Sequence, residues 1–244
     1  MTIKKHVPNF ITLLNLACGC IAIILFSQLN QPNSDRYLEY AFYFVCLGIF
    51  FDFFDGFFAR ILNAAGELGL QLDSLADMVT SGVTPGFAMY LLLADAEGAQ
   101  SFGPFFPFLG FIITLASAYR LAKFNIDTRQ TTSFIGLPTP ANALFIMSLP
   151  VIKMTGPLLI LEILINPYVL LVITALSAYM LNAEIPLFSL KVKSLSFKEN
   201  WLSIIFLLMS ALLIALMGFG GVPIVILLYV MTSVILNKVK GKEV

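Results

Sequence analysis

Four aspartates with helical spacing are the residues of this chain best suited to chemistry: Asp52, Asp55, Asp73 and Asp77. They fall within 26 positions of a chain that is 59% hydrophobic and 11% charged. An ionised carboxylate near a bilayer centre costs about 2.5–3.5 kcal/mol, so the cluster predicts a functional site. Carboxylate oxygens suit Mg²⁺ or Mn²⁺, and four of them predict a two-metal site that stabilises phosphoryl transfer. The alternative, acid paired with base, has only Arg60 close by in the sequence.

The spacing also predicts how these acids are arranged. Asp52, Asp55, Gly56 and Ala59 follow the i, i+3, i+4, i+7 pattern and share one helix face. A glycine on that face lets a large group lie against the backbone. The second pair of aspartates is four positions apart and shares a face of the next helix. A turn over residues 63–68 would make the two helices antiparallel, so that their acidic faces converge.

The composition predicts an all-α polytopic membrane protein in which these helices are spans. We expect eight spans, six of them at about residues 8–34, 40–60, 73–94, 102–123, 140–154 and 167–183. The other two lie in the uncharged stretch 200–237, which is too long for one crossing of about 20 residues. Gly218–Pro223 divides that stretch. We expect the short apolar stretch 158–165 to be re-entrant or interfacial.

The distribution of basic residues predicts the orientation of these spans. With eight spans both termini lie on one side, and twelve of the 14 basic residues then lie on that side as well. Only Arg36 and Lys153 lie on the other side. Basic loops mark the cytoplasmic face. We therefore expect a protein of the cytoplasmic (inner) membrane, with both termini and the active site on the cytoplasmic side. The 14 acidic residues balance the 14 basic ones, so we expect no nucleic-acid partner.

The acidic segment also carries a family resemblance. Its pattern, Asp-x2-Asp-Gly-x2-Ala-Arg-x8-Gly-x3-Asp-x3-Asp over residues 52–77, resembles the complete motif of the CDP-alcohol phosphotransferases. The resemblance implies a six-helix transmembrane core, here residues 1–186, in a homodimer. Residues 187–199 would form a cytoplasmic loop, and residues 200–244 would add two transmembrane helices and a basic tail.

The resemblance also implies roles for individual residues. The four aspartates would bind two divalent cations, Mg²⁺ or Mn²⁺, and Asp77 would act as the general base. The segment Val7–Asn15 is similar to the family's amino-terminal Pro-Asn-x2-Thr-Leu element, although Pro-Asn is also a common helix start. The residues that the resemblance assigns to the CDP moiety are Asn9, Thr12, Gly56, Ala59, Arg60 and Gly69.

Three other segments are similar to phosphatidylserine synthases. They are residues 73–86, the run Arg120-Leu-Ala-Lys123-Phe-Asn125 and the run Phe134-Ile-Gly-Leu-Pro-Thr-Pro140. This chain has Lys123 where arginine is usual, and lysine lacks the bidentate fork. Helix packing by small residues and cytoplasmic anchoring by cations are the alternative interpretations of the first two segments. The residues that the resemblance places at serine or its phosphate are Ser81, Arg120, Lys123 and Asn125.

The function implied by these resemblances is transfer of a phosphatidyl group from CDP-diacylglycerol to L-serine. Within the family, the acceptor could instead be glycerol phosphate, inositol phosphate or choline. An ion-coupled membrane transporter is an alternative from another class. It is disfavoured because all four acids lie at one side of the membrane, whereas transporter sites lie near its midplane.

Overall fold

The computed structural model describes residues 6–28, 34–127, 134–187 and 197–240, and these residues are predominantly helical. The ten α-helices in this part of the chain are α1 Val7–Ser27, α2 Ser34–Ile61, α3 Glu67–Asp77, α4 Thr84–Ala94, α5 Ile112–Ile126, α6 Thr139–Thr155, α7 Leu158–Leu164, α8 Pro167–Asn182, α9 Phe197–Met217 and α10 Gly221–Lys240. A π-helix, Met78–Val83, joins α3 to α4. Two short strands, β1 Phe134–Ile135 and β2 Pro186–Leu187, pair antiparallel, with Phe134 opposite Leu187.

The chain is an integral membrane protein. Three described stretches are long and apolar enough to cross a bilayer: Val7–Ser27, Asp35–Ile61 and Ser203–Asn237. Helices α7 and α8 satisfy the same criteria together but are bent by 72°. Many large apolar side chains are exposed, among them Phe53, and lipid is the medium that suits such a surface. The number of crossings remains a prediction.

The last apolar stretch folds back on itself. The ring centroids of Phe206 on α9 and Tyr229 on α10 are 5.8 Å apart. In one straight helix these residues would be about 34 Å apart, because each residue adds about 1.5 Å. The turn is a 3₁₀ segment, Gly218–Gly220, and Gly218 has a φ of 56°, which favours glycine. The break therefore lies within the predicted Gly218–Pro223 segment.

The third predicted span differs from its expected form of a single helix over residues 73–94. Helix α3 begins at Glu67, after a turn in which Asn63 has a φ of 48°. The helix then widens into the π-helix before Pro85. Proline lacks an N–H group, and its ring clashes with the carbonyl group four residues earlier. This clash gives a physical reason for the widening, which leaves Thr84 to donate its N–H to Val79.

The fourth predicted span, residues 102–123, also differs from expectation. Its first part forms a 3₁₀ helix, Phe106–Phe111, and the α-helix starts only at Ile112. Pro104 and Pro107 remove backbone donors in this stretch, so a regular helix cannot run through it.

Small residues bring α1 and α2 against the π-helix. A Cβ atom at Gly19 would lie 2.5 Å from the Thr80 hydroxyl oxygen and 2.8 Å from the Thr80 Cα. A Cβ atom at Gly48 would lie 2.8 Å from the Thr80 methyl group. The Thr80 hydroxyl donates to the carbonyl oxygen of Asn15 at 2.9 Å. This close approach sets the distance between the helices that carry the aspartates.

Candidate metal centre and substrate cleft

Three of the four predicted aspartates form one cluster. Asp52, Asp55 and Asp73 each present a carboxylate oxygen, and these oxygens lie within 4.8 Å of one another. Among the described residues, none of them forms a salt bridge with lysine or arginine. The Oδ2 atom of Asp55 is buried and has no hydrogen-bond partner in the part of the chain that the structure describes. Like charges this close repel unless a cation lies between them, so the cluster fits a divalent metal.

Asp77 lies at the edge of this cluster. The Asp52 carboxyl group contacts those of both Asp73 and Asp77, so Asp52 connects the fourth aspartate to the other three. The Nδ2 group of Asn15 donates to Oδ1 of Asp77 at 3.1 Å, and both side chains are buried. Asp77 is thus held by an amide donor, which fixes the direction of its carboxylate.

A cleft of about 250 Å³ opens beside the aspartates, between the start of α1, the end of α2 and α3. Asp55 and Asp73 line it. A Cβ atom at Gly56 would meet no atom within 4 Å, so this helix face is open for a ligand. All six residues that the family resemblance assigned to the CDP moiety line the cleft: Asn9, Thr12, Gly56, Ala59, Arg60 and Gly69.

Ser81 and Arg120, two of the four predicted acceptor residues, lie in the protein interior behind the aspartates. Ser81 is fully buried, and its hydroxyl has no hydrogen-bond partner among the described residues. The Arg120 side chain is 7% exposed, and its Nε and Nη2 atoms also have no partner there. The guanidinium interacts electrostatically with Asp77. Arg120 is therefore a buried cation within electrostatic range of the aspartate assigned as base.

Lys123 and Asn125, the other two predicted acceptor residues, have protein partners. Lys123 Nζ lies 3.3 Å from Glu184, at the end of α8. Asn125 donates to the Ser74 hydroxyl at 2.8 Å. Neither residue lines the cleft. These contacts attach the end of α5 to its neighbours.

The sequence did not reveal three polar residues near the site: Asn15, Ser117 and Tyr229. Asn15 lies three residues after Thr12, so a buried amide on that face of an apolar helix could have indicated it. Ser117 lies one turn before Arg120, and its buried hydroxyl also lacks a partner among the described residues. Tyr229, on α10, interacts electrostatically with Arg120. No local pattern indicates a residue that is more than 100 positions away in the chain.

Curated proteins with similar sequences are named CDP-diacylglycerol–serine O-phosphatidyltransferase. The protein from Bacillus subtilis is 35% identical over 142 residues, which are 56% of this chain and 70% of that protein. The protein from Saccharomyces cerevisiae is 31% identical over 153 residues, 59% of this chain and 53% of the relative. The protein from Methanocaldococcus jannaschii is 33% identical over 141 residues, 58% of each chain. The last two matches thus span little more than half of those relatives.

The match to a protein-family model covers more of the chain than any of these three pairwise matches. The model of the CDP-alcohol phosphatidyltransferases matches residues 5–178, which include all four aspartates and end before α9 and α10. The chain therefore belongs to the CDP-alcohol phosphatidyltransferase family.

Proposed function

We propose that this protein transfers the phosphatidyl group of CDP-diacylglycerol to L-serine, which yields phosphatidylserine and CMP. The observation that carries the proposal is the cluster of Asp52, Asp55 and Asp73 beside a cleft with a bare helix face at Gly56. The names of the relatives support serine as the acceptor.

The reaction needs one bond to form and one to break at phosphorus. The serine hydroxyl oxygen attacks the phosphorus atom that carries the diacylglycerol oxygen. The bond from this phosphorus to the oxygen of CMP breaks, and CMP leaves with the electron pair. Asp77 accepts the proton of the serine hydroxyl, a role that suits a carboxylate held by the Asn15 amide.

The aspartates would hold the divalent cations. Two Mg²⁺ or Mn²⁺ ions bound by Asp52, Asp55, Asp73 and Asp77 would neutralise the diphosphate and the charge that develops on it. The chain itself supplies four carboxylates that form no salt bridge to lysine or arginine among the described residues, and carboxylates are the donors that these ions prefer.

Arg120 would bind the carboxylate of serine. Its Nε and Nη2 atoms, which have no hydrogen-bond partner among the described residues, form one edge of the guanidinium, and this edge matches a planar carboxylate with two parallel hydrogen bonds. Because Arg120 also interacts with Asp77, a bound serine would have its carboxylate at the arginine and its hydroxyl close to the base. Ser81 would add a hydroxyl on the same side.

The same proposal includes the placement of the molecule. Residues 1–186 would form a six-helix core, with two further spans after residue 200, in a homodimer of the cytoplasmic membrane. Two ion pairs support this placement, because each joins helix ends that the proposal puts on the same side of the membrane. Lys153, at the end of α6, pairs with Asp95, at the end of α4. Lys123, at the end of α5, pairs with Glu184, just after α8. Light scattering of the purified protein in detergent tests the dimer, and a mass of one 26.9 kDa chain would contradict it.

The test of the mechanism is Asp77→Asn. The amide keeps an oxygen for the Asn15 donor, so the variant should fold, but it cannot accept the proton. We expect the serine-dependent rate of CMP release to fall by about 10²–10⁴-fold, the range for loss of a general base. Asp95→Asn is the control. Asp95 follows the last residue of α4, away from the aspartate cluster, and forms a salt bridge in which its side chain is exposed, so this variant should retain normal turnover. Unchanged turnover of Asp77→Asn would refute Asp77 as the base.

A further inference from the structure

Ser117, on α5, is a buried polar residue to which the proposed function gives no role. It is fully buried, and its hydroxyl forms no hydrogen bond within the described part of the chain. The same holds for Ser81, on the π-helix. A buried hydroxyl without a hydrogen bond is costly, so each of these positions needs either a bound water molecule or a ligand.

These two serines differ from other hydroxyl residues in the helices of this protein. A helical serine or threonine can satisfy its hydroxyl by donating to the carbonyl oxygen four residues earlier. Residues that do so here include Ser74, Thr174, Ser210 and Ser233. Ser81 and Ser117 leave this local acceptor unused, so their hydroxyls are available to a group outside their own helix.

Close packing holds Ser117 next to the segment that carries Ser81. A Cβ atom at Gly82, the residue after Ser81, would lie 3.2 Å from the Cβ atom of Ser117. Thr114, three residues before Ser117 on α5, donates its hydroxyl to the Gly82 carbonyl oxygen at 3.0 Å. These two contacts fix the position of α5 along the π-helix, so both serines lie where the two elements meet.

Arg120 and Asp77 lie on either side of this meeting point. Arg120 follows Ser117 by three residues, so the two share a face of α5. Long helical side chains lean towards the amino end of their helix, which directs Arg120 towards the turn that carries Ser117. Asp77, at the end of α3, precedes Ser81 by four residues. The two hydroxyls therefore lie about one helical turn from the buried cation and from the proposed base, respectively.

The three side chains together offer hydrogen-bond donors that the protein does not use. Nε and Nη2 of Arg120 have no partner among the described residues, and the hydroxyls of Ser81 and Ser117 can donate as well. An ionised carboxylate only accepts hydrogen bonds, and its two oxygens can take about four of them. A buried group of donors around one cation therefore suits a small carboxylate better than an ammonium group or a neutral alcohol.

We propose that Ser117 is a binding residue for the acceptor, and that its hydroxyl, with Ser81 and Arg120, binds the carboxylate of L-serine. The inference rests on the proposed transfer to serine and deepens it, because it assigns the carboxylate to a site formed by α5 and the π-helix. A π-helical turn in a binding site is consistent with the frequent occurrence of such turns at functional sites.

The test is Ser117→Ala in the intact chain, which removes the hydroxyl and keeps the Cβ atom that packs against Gly82. Loss of a hydrogen bond to a charged group should raise the KM for L-serine about tenfold. The KM for CDP-diacylglycerol should stay unchanged, because Ser117 does not line the cleft. The melting temperature should stay equal or rise, because the hydroxyl has no partner in the described structure and alanine favours a helix.

Ser210→Ala is the matched control. It makes the same change on α9, where the hydroxyl already donates to the Phe206 carbonyl oxygen, and it should leave both KM values unchanged.

Four results would overturn the inference. A normal KM for serine in Ser117→Ala, with the unaltered protein active, would show that the hydroxyl binds only water and would leave the proposed function intact. Equal losses with both substrates together with a lower melting temperature would indicate packing alone. A higher KM for the donor alone would place the diphosphate, not the carboxylate, at Ser117. No serine-dependent CMP release from the unaltered protein would overturn both proposals.

Discussion

At the residue scale, Gly56 leaves part of the wall of the cleft without a side chain. It follows Asp55 directly, lines the cleft, and a Cβ atom there would meet no protein atom within 4 Å. A larger side chain could therefore be added without disturbing the fold, and it would project into the space that the proposed CDP moiety needs.

Gly56→Val should consequently fold but bind the donor poorly. We expect the KM for CDP-diacylglycerol to rise at least about tenfold, equivalent to a loss of about 1.4 kcal/mol, with the KM for serine unchanged. Steady-state kinetics with each substrate varied in turn measures this. Gly220→Val is the matched control, because a Cβ atom at Gly220 is also unhindered but lies in the turn between α9 and α10. A normal donor KM in Gly56→Val would place the nucleotide elsewhere.

Helical periodicity accounts for what the sequence predicted at this scale. The spacing of Asp52, Asp55 and Gly56 put them on one face, and the structure places Asp52 and Asp55 together with Asp73. Periodicity says nothing about partners on distant helices. The Asn15 amide at Asp77 therefore appears only once the helices are packed.

At the element scale, the packing of α1 against the π-helix depends on the absence of a side chain at Gly19. A Cβ atom there would overlap Thr80, whose backbone cannot move away because its hydroxyl is bonded to α1. Overpacking of this kind costs about 1–3 kcal/mol, which exceeds the gain of about 1 kcal/mol from replacing glycine by alanine in a helix.

Gly19→Ala should therefore lower the melting temperature in detergent. Gly56→Ala serves as the control, because it makes the same substitution in a helix where the new methyl group is unhindered, and it should leave the melting temperature equal or higher. Thermal unfolding followed by light scattering or intrinsic fluorescence would measure both. Equal stability of Gly19→Ala and the unaltered protein would show that α1 can move away from Thr80.

The sequence predicted the elements well where hydrophobic runs are regular and less well where proline interrupts them. The predicted break near Gly218 lies at the turn between α9 and α10. The π-helix before Pro85 and the 3₁₀ segment before Ile112 were not predicted. A proline in an apolar run shows that the helix must adjust, but the surrounding packing decides whether it widens, tightens or bends.

At the scale of the whole molecule, the orientation in the membrane can be tested with two exposed positions at opposite ends. Gln100 follows α4, and Ile126 ends α5. After replacement of Cys18, Cys20 and Cys46, a single cysteine at position 100 should react with an impermeant maleimide in intact cells. A cysteine at position 126 should react only after permeabilisation, because we place it in the cytoplasm. The reverse pattern would invert the proposed topology.

The position of the C-terminal hairpin could not be predicted from the sequence. Its apolar composition identifies it as membrane-embedded, but composition does not determine which core helices it contacts. The cluster of Leu137, Leu187, Phe206 and Tyr229 places it against the core, beside the start of α6 and strand β2. A long-range arrangement of this kind depends on side-chain packing between segments that are distant in the sequence.

The most direct test of the central claim is CMP release by the purified protein with CDP-diacylglycerol, Mg²⁺ or Mn²⁺ and a panel of alcohols. The account predicts metal-dependent CMP release with L-serine and little with glycerol phosphate, inositol phosphate or choline. Release with one of these other acceptors and none with serine would contradict the assignment of serine while keeping the family chemistry. No release under any condition would contradict the transferase and favour a transporter.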